Sequence, residues 1–122
     1  MAITIIVETG EGSSVSNSYI SVAEARQFAS DRGVELSSDD EVVAAMLIKS
    51  TDYLESQECR YQGRRSSSQQ ALAWPRTGVY LYCDEVASDF IPKLLKDAQS
   101  QLVLAVNQGF DLQPTISPAS LS

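Results

Sequence analysis

SDDEVVAAMLIKSTDYLESQ, residues 38–57, is the stretch whose reading decides the fold. Val43, Met46, Leu47, Ser50 and Leu54 recur at steps of three and four, with Tyr53 beside them, which is the spacing of a core-facing helix stripe. Ser38 followed by Glu41 reads as a capping box, in which hydroxyl and carboxylate each satisfy a backbone N–H left over at a helix start. Asp39 and Asp40 add negative charge at the positive end of the helix dipole. These signals predict a helix over roughly 39–57. The acidic run is a poor metal site, because successive helical residues point in different directions.

Toward the N-terminus, Ser21 and Glu24 form another capping box and open a helix through Ala23, Ala25, Phe28 and Ala29 to Gly33, whose tolerance of positive φ suits a C-terminal cap. Ala2 to Val7 is rich in β-branched residues and predicts a short strand, an edge or an arm. Glu8 to Ser18 collects Gly10, Gly12, four serines and Asn17, the composition of a loop. Its GEGSS run lacks the lysine and spacing of a phosphate-binding loop.

Toward the C-terminus, Arg60 to Ser68 reads as a polar connection. Gln70 to Arg76, with Leu72 and Trp74 alternating with alanines, predicts a short strand, Thr77 and Gly78 a turn, and Val79 to Cys83 its hairpin partner. Pro92 opens the longest predicted helix, with Leu94, Leu95, Ala98, Leu102 and Ala105 on one face and Gly109 at its end. Phe110 to Ser122, with Pro114 and Pro118, reads as an extended tail whose Phe110, Leu112, Ile116 and Leu121 are suited to docking on a partner. The expected fold is therefore mainly α: a small bundle of about three to four helices with a short N-terminal strand, one β-hairpin and extended termini. It forms one domain, residues 1–122, with an arm and loop over 1–18, a helical body with hairpin over 19–109 and a tail over 110–122.

A chain of 122 residues, 43% of them hydrophobic, supports one buried core. The absence of histidine removes Ser-His-Asp, Cys-His and His-ligated metal chemistry. Nothing in the sequence assembles a catalytic pair or a cofactor site, so neither an enzyme nor a cofactor is expected. A net charge of −7 opposes nonspecific adhesion to nucleic acid or anionic lipid, yet residues 60–78 hold four arginines and no acid. Cys59 and Cys83 form neither a CxxC pair nor a zinc pattern and are expected to be free thiols in a reducing compartment. Met1 to Gly10 lacks the basic start of a secretory signal, and no membrane association is expected.

Four blocks stand in order: VSNSYISVAEA over 15–25, YQGRR over 61–65, QALAWPRTG over 70–78, and Ile91-Pro92 before an alanine-rich helix. Across roughly 13–109 this series resembles the small head-to-tail adaptor, or head-completion and neck, proteins of tailed bacteriophages, some of which carry the label DnaT-like single-stranded-DNA-binding. The segment Val79 to Asp89 matches no motif of that family. The resemblance implies a structural virion protein that forms a homo-oligomeric ring, usually a dodecamer, on the capsid vertex. Its partners would be the portal protein on one side and the stopper or tail terminator on the other, with DNA only passing through the channel. The implied location is the virion neck, reached from the host cytoplasm. Arg60, Arg64, Arg65, Arg76, Phe110, Leu112, Ile116 and Leu121 are the expected interface residues, and Trp74 and Pro75 a structural anchor. The alternative is a single-stranded-DNA-binding module, with the four arginines on phosphates and Tyr61 and Trp74 stacking on bases.

Overall fold

The computed structural model describes residues 2–112. Three helices form its first layer: α1 (Val22–Asp31), α2 (Asp40–Ser56) and α3 (Lys93–Asn107). The capping box at Ser21 and Glu24 is present, each side chain accepting the other's backbone N–H at 3.1 Å. The predicted stripe of α2 is inward: Val43, Met46, Leu47, Ser50 and Leu54 are all buried. Its cap differs from expectation. Asp39, not Ser38, accepts the Glu41 N–H at 3.0 Å, because either residue type caps well and the chain selects the one whose backbone is extended there. The Glu41 carboxylate turns outward and receives the Ile3 N–H at 2.9 Å.

On α3 the inward face is rotated from the predicted one. Leu95, Gln99, Ser100, Val103 and Leu104 are buried, while Leu94 is exposed. A glutamine and a serine on the core side carry no hydrophobic signal, so the periodicity of the leucines and alanines alone misplaces the face.

Between α2 and α3 lie a 3-10 turn (Glu58–Arg60) and four two-residue strands: β1 (Arg64–Arg65), β2 (Arg76–Thr77), β3 (Tyr80–Leu81) and β4 (Asp84–Glu85). They pair as two antiparallel ribbons, β1 with β2 and β3 with β4. The molecule is thus a small mixed α/β domain, which corrects the expected mainly α bundle with a single hairpin. Of the predicted strand over 70–76 only Arg76 is in a strand, in β2, which pairs with β1 rather than with the predicted partner over 79–83; the alternation before it reflects burial of Leu72, Ala73 and Trp74 in an irregular segment. Side chains replace a neighbouring strand there. Glu55 accepts the Ala73 N–H at 2.7 Å, the Tyr19 hydroxyl accepts the Trp74 N–H at 3.2 Å, and Gln70 Nε2 donates to the carbonyls of Leu72 and Pro75. The Trp74–Pro75 peptide is cis.

The N-terminal segment is extended but makes one bridge, Val7 to Ser18, rather than a strand. Asn17 does the work of a partner strand, accepting the Ile6 N–H and donating to the Thr4 carbonyl. The loop that follows turns inward. Glu8 is fully buried, its carboxylate taking the N–H groups of Gly10, Gly12 and Ser13 and the Ser16 hydroxyl. Gly10 has φ +112°, and a Cβ there would fall 2.0 Å from the Asp89 carbonyl oxygen, so only glycine fits.

Candidate functional site

The arginine segment was the sequence's strongest pointer to a binding surface, and the structure divides it. Arg76 is buried at 5% exposure. Its guanidinium donates to the carbonyls of Gln62, Gly63 and Ala73 and to Glu58, all between 2.8 and 3.1 Å. Arg65 grips the same Glu58 carboxylate with two parallel bonds, Nε at 2.7 Å and Nη2 at 2.8 Å, and reaches the Gln70 carbonyl with Nη1. Two-pronged pairing holds a planar guanidinium in one orientation. These hydrogen bonds, first of all those from Arg65, hold the Glu58 carboxyl below its ordinary range, and Glu58 in turn raises Arg65.

Around this ion cluster the aromatic residues pack inward. Trp74 is 7% exposed, and the Tyr61 ring meets it edge-on at 5.5 Å between centroids. The Tyr61 hydroxyl donates to the Leu54 carbonyl at 2.8 Å, and burial pushes its phenol up to about 12. Tyr19, wholly buried, donates to Glu55 at 2.7 Å; burial drives both its phenol and the Glu55 carboxyl upward. Pro75 is fully buried beside Trp74.

Arg60 and Arg64 remain. Both are exposed, and their side chains have no hydrogen bond or ion pair among the described residues. The four arginines therefore do not form one basic surface: two are tied into the fold and two face solvent. Phe110 and the half-buried Leu112 border a cleft with Lys49 and Val106 at the end of α3. Ile116 and Leu121, and most of the predicted tail, lie outside the described residues. Cys59 and Cys83 are exposed free thiols. Among the described residues no helix is long and apolar enough to cross a membrane, and no group of Cys, Asp and Glu is placed to hold a metal ion.

Sequence reasoning missed the residues that organise this region. Glu58 receives both arginines, Glu55 and Gln70 satisfy a buried loop, and Gln62 fastens the second ribbon by accepting the Tyr80 N–H at 3.0 Å. None of them stands in a periodic or spaced pattern. A single weak signal was available: four arginines with no local acid require a counter-charge, and Glu58 is the nearest preceding one.

A family model described as "Putative DnaT-like ssDNA binding protein" matches residues 3–120. The chain belongs to that family. No curated protein and no solved structure matches it. The DnaT-like description corresponds to the alternative drawn from the sequence, single-stranded-DNA binding, and says nothing of a phage neck. Within this DnaT-like chain, two of the four candidate phosphate contacts and both candidate stacking rings are engaged in internal packing.

Proposed function

We propose that the chain is a non-catalytic assembly subunit, the ring-forming adaptor between portal and tail in a phage neck. One observation carries the reading. Of the side chains suited to nucleic acid, Arg76 and Trp74 are buried and the half-buried Arg65 and Tyr61 are held by internal hydrogen bonds, whereas the second ribbon exposes Tyr80 and Tyr82 beside Asp84 and Glu85, and Asp89 and Phe90 after it are exposed as well. Exposed aromatic residues set among acids suit a protein partner and repel a phosphate backbone. The ordered blocks from Val15 to Pro92 support the phage-neck setting. The tail residues Phe110, Leu112, Ile116 and Leu121 belong to the same reading as a fastener to the portal.

The family description favours a second reading, single-stranded-DNA binding, for which Arg60 and Arg64 are the cations still available. Two measurements separate the readings. Particles purified from cells making this chain are expected to contain it at about twelve copies per vertex by mass spectrometry and electron microscopy, as a closed cyclic assembly would give. Its absence from particles would defeat the adaptor reading. Fluorescence anisotropy with labelled single-stranded oligonucleotides is expected to give a midpoint above roughly 10 µM at physiological salt. Tight binding abolished by Arg60→Ala with Arg64→Ala would instead establish the DNA reading.

A further inference from the structure

The extended N-terminal segment, residues 2–7, has one satisfied edge and one open edge. Its even-numbered positions, and Glu8 after them, bond to the chain at 17–18. The Asn17 side-chain amide donates to the Thr4 carbonyl, Asn17 Oδ1 accepts the Ile6 N–H, the Ile6 carbonyl accepts the Asn17 N–H, and the Ser18 carbonyl accepts the Glu8 N–H, all at 2.8 or 2.9 Å. Successive residues of an extended chain turn their backbone groups to opposite edges. The odd-numbered residues therefore face away from 17–18, and among the described residues neither the N–H nor the C=O of Ile5 or Val7 has a hydrogen-bond partner. On that edge the Ile3 N–H alone is held, by the two oxygens of Glu41 at 2.9 and 3.0 Å.

A row of unpaired backbone groups is a template for a second strand, and folded proteins usually guard it with lysine, proline or another inserted charge. Here the guards are missing. Residues 2–7 read AITIIV, with no charge, proline or glycine, and five of the six are β-branched, the side chains best suited to a pleated strand.

Side chains and charge point the same way. Ile5 packs against the helical core, which anchors the segment, whereas Ile3 and Ile6 are exposed, as is Val42 next to Glu41 on α2. In a chain of net charge −7, two copies repel one another over most of their surface. The uncharged segment is a place where they meet without opposing like charges, and its backbone is its own complement.

We propose that two copies of the chain pair through this open edge as an antiparallel, two-fold ladder centred on Ile5. Ile5 exchanges a pair of N–H to C=O bonds with the partner's Ile5, and each Val7 N–H donates to the partner's Ile3 carbonyl, so the Ile3 contact with Glu41 is left intact. In this register Thr4 stands directly opposite the partner's Ile6 on the outward face, and each exposed Ile6 gains a neighbour. The pair is independent of the adaptor reading. It closes on two copies, whereas a ring needs a head-to-tail contact, so it describes the free chain before assembly.

Sedimentation of the full chain, with residue-resolved hydrogen exchange by NMR, tests the pairing. Strands this short make a contact well below the standard interface size, so association is expected at roughly 0.1 to 1 mM. Across that range exchange at the Ile5 and Val7 amides should slow in step with sedimentation, while the Ile6 amide, already bonded to Asn17, stays unchanged. Thr4→Glu with Ile6→Glu sets like charges opposite each other and should weaken association about tenfold. Thr4→Lys with Ile6→Lys should weaken it as well, although it lowers the net charge. Thr4→Lys with Ile6→Glu sets opposite charges across the pair and should return association to within about threefold of the parent. Both positions are exposed, so an unchanged melting temperature is the control for folding. The pairing is overturned if the parent stays monomeric to about 1 mM, if it dimerises without slowing Ile5 and Val7, or if the three double variants associate alike. The adaptor reading fails separately, by absence of the chain from particles.

Discussion

Where α1, α2 and α3 meet, the core is a set of apolar side chains from Ile20 to Leu104 delivered by helical periodicity. Around Trp74 the core has similar burial but a different origin: Tyr19, Leu54, Leu72, Val79, Ile91 and Leu95 come from loops, ribbons and helix ends. The first region satisfies its backbone within helices. The second has almost no regular structure to do so, and side-chain carboxylates, amides and guanidiniums take over the task. Regular structure distributes stability over many equivalent bonds, whereas the irregular half concentrates it in a few residues that have no substitute.

The sharpest way to break this contrast is Trp74→Ala, expected to cost about 3 to 5 kcal/mol. Hydrogen exchange should show the ribbons losing protection while α2 and α3 keep theirs; uniform loss would mean the two regions form one cooperative unit. Arg76→Met follows, at about 3 kcal/mol in urea unfolding, because three carbonyls and Glu58 lose their donor together. Arg76→Lys is expected to recover less than half, since one ammonium cannot reach acceptors spread across the guanidinium fork.

Gln99→Leu sharpens the comparison from the helical side. Gln99 is wholly buried; it accepts the Tyr19 N–H and offers its amide to Ser18, Ser50, Thr51 and the Leu47 carbonyl. Removing it orphans the Tyr19 N–H and is expected to cost about 2 kcal/mol, lowering both regions together in thermal unfolding because Tyr19 belongs to the second core. The smallest effect is expected from acid. Glu58 has a depressed folded pKa, so its contribution is present above the unfolded carboxylate value of about 4.3 and is lost as pH falls through the lower folded value. Glu55 acts with the opposite sign, since burial raises its pKa and its charged form weakens the folded state. Ribbon protection should therefore decline below about pH 4, and Glu58→Gln should flatten that decline.

The same division explains what the sequence made legible. The α1 cap and the α2 stripe were readable because Ser21, Glu24, Val43 and Leu47 repeat at spacings that only a helix uses. Residues 57–91 obey no such spacing. Gln70 and Glu55 act on loop backbone fixed only by tertiary structure, so neither the two ribbons nor the irregular path of 70–75 could be read from alternation. For the candidate site, composition located the arginine segment, yet whether each guanidinium faces inward depends on Glu58, whose role no spacing announces. Pattern finds elements; it does not find the side chains that substitute for them.

Gln99 also bears on the order of events during folding. It links α3 to Ser18, 81 residues earlier, and to Thr51 across 48. Contacts so distant along the chain close late, since loop entropy must be lost before they form. On a growing nascent chain, α1 and α2 can be helical while their shared face still waits for α3. Synthesis of the last helix is thus the step that commits the domain, and until then Leu47, Ser50 and Thr51 are exposed to whatever else in the cell recognises an open helical face.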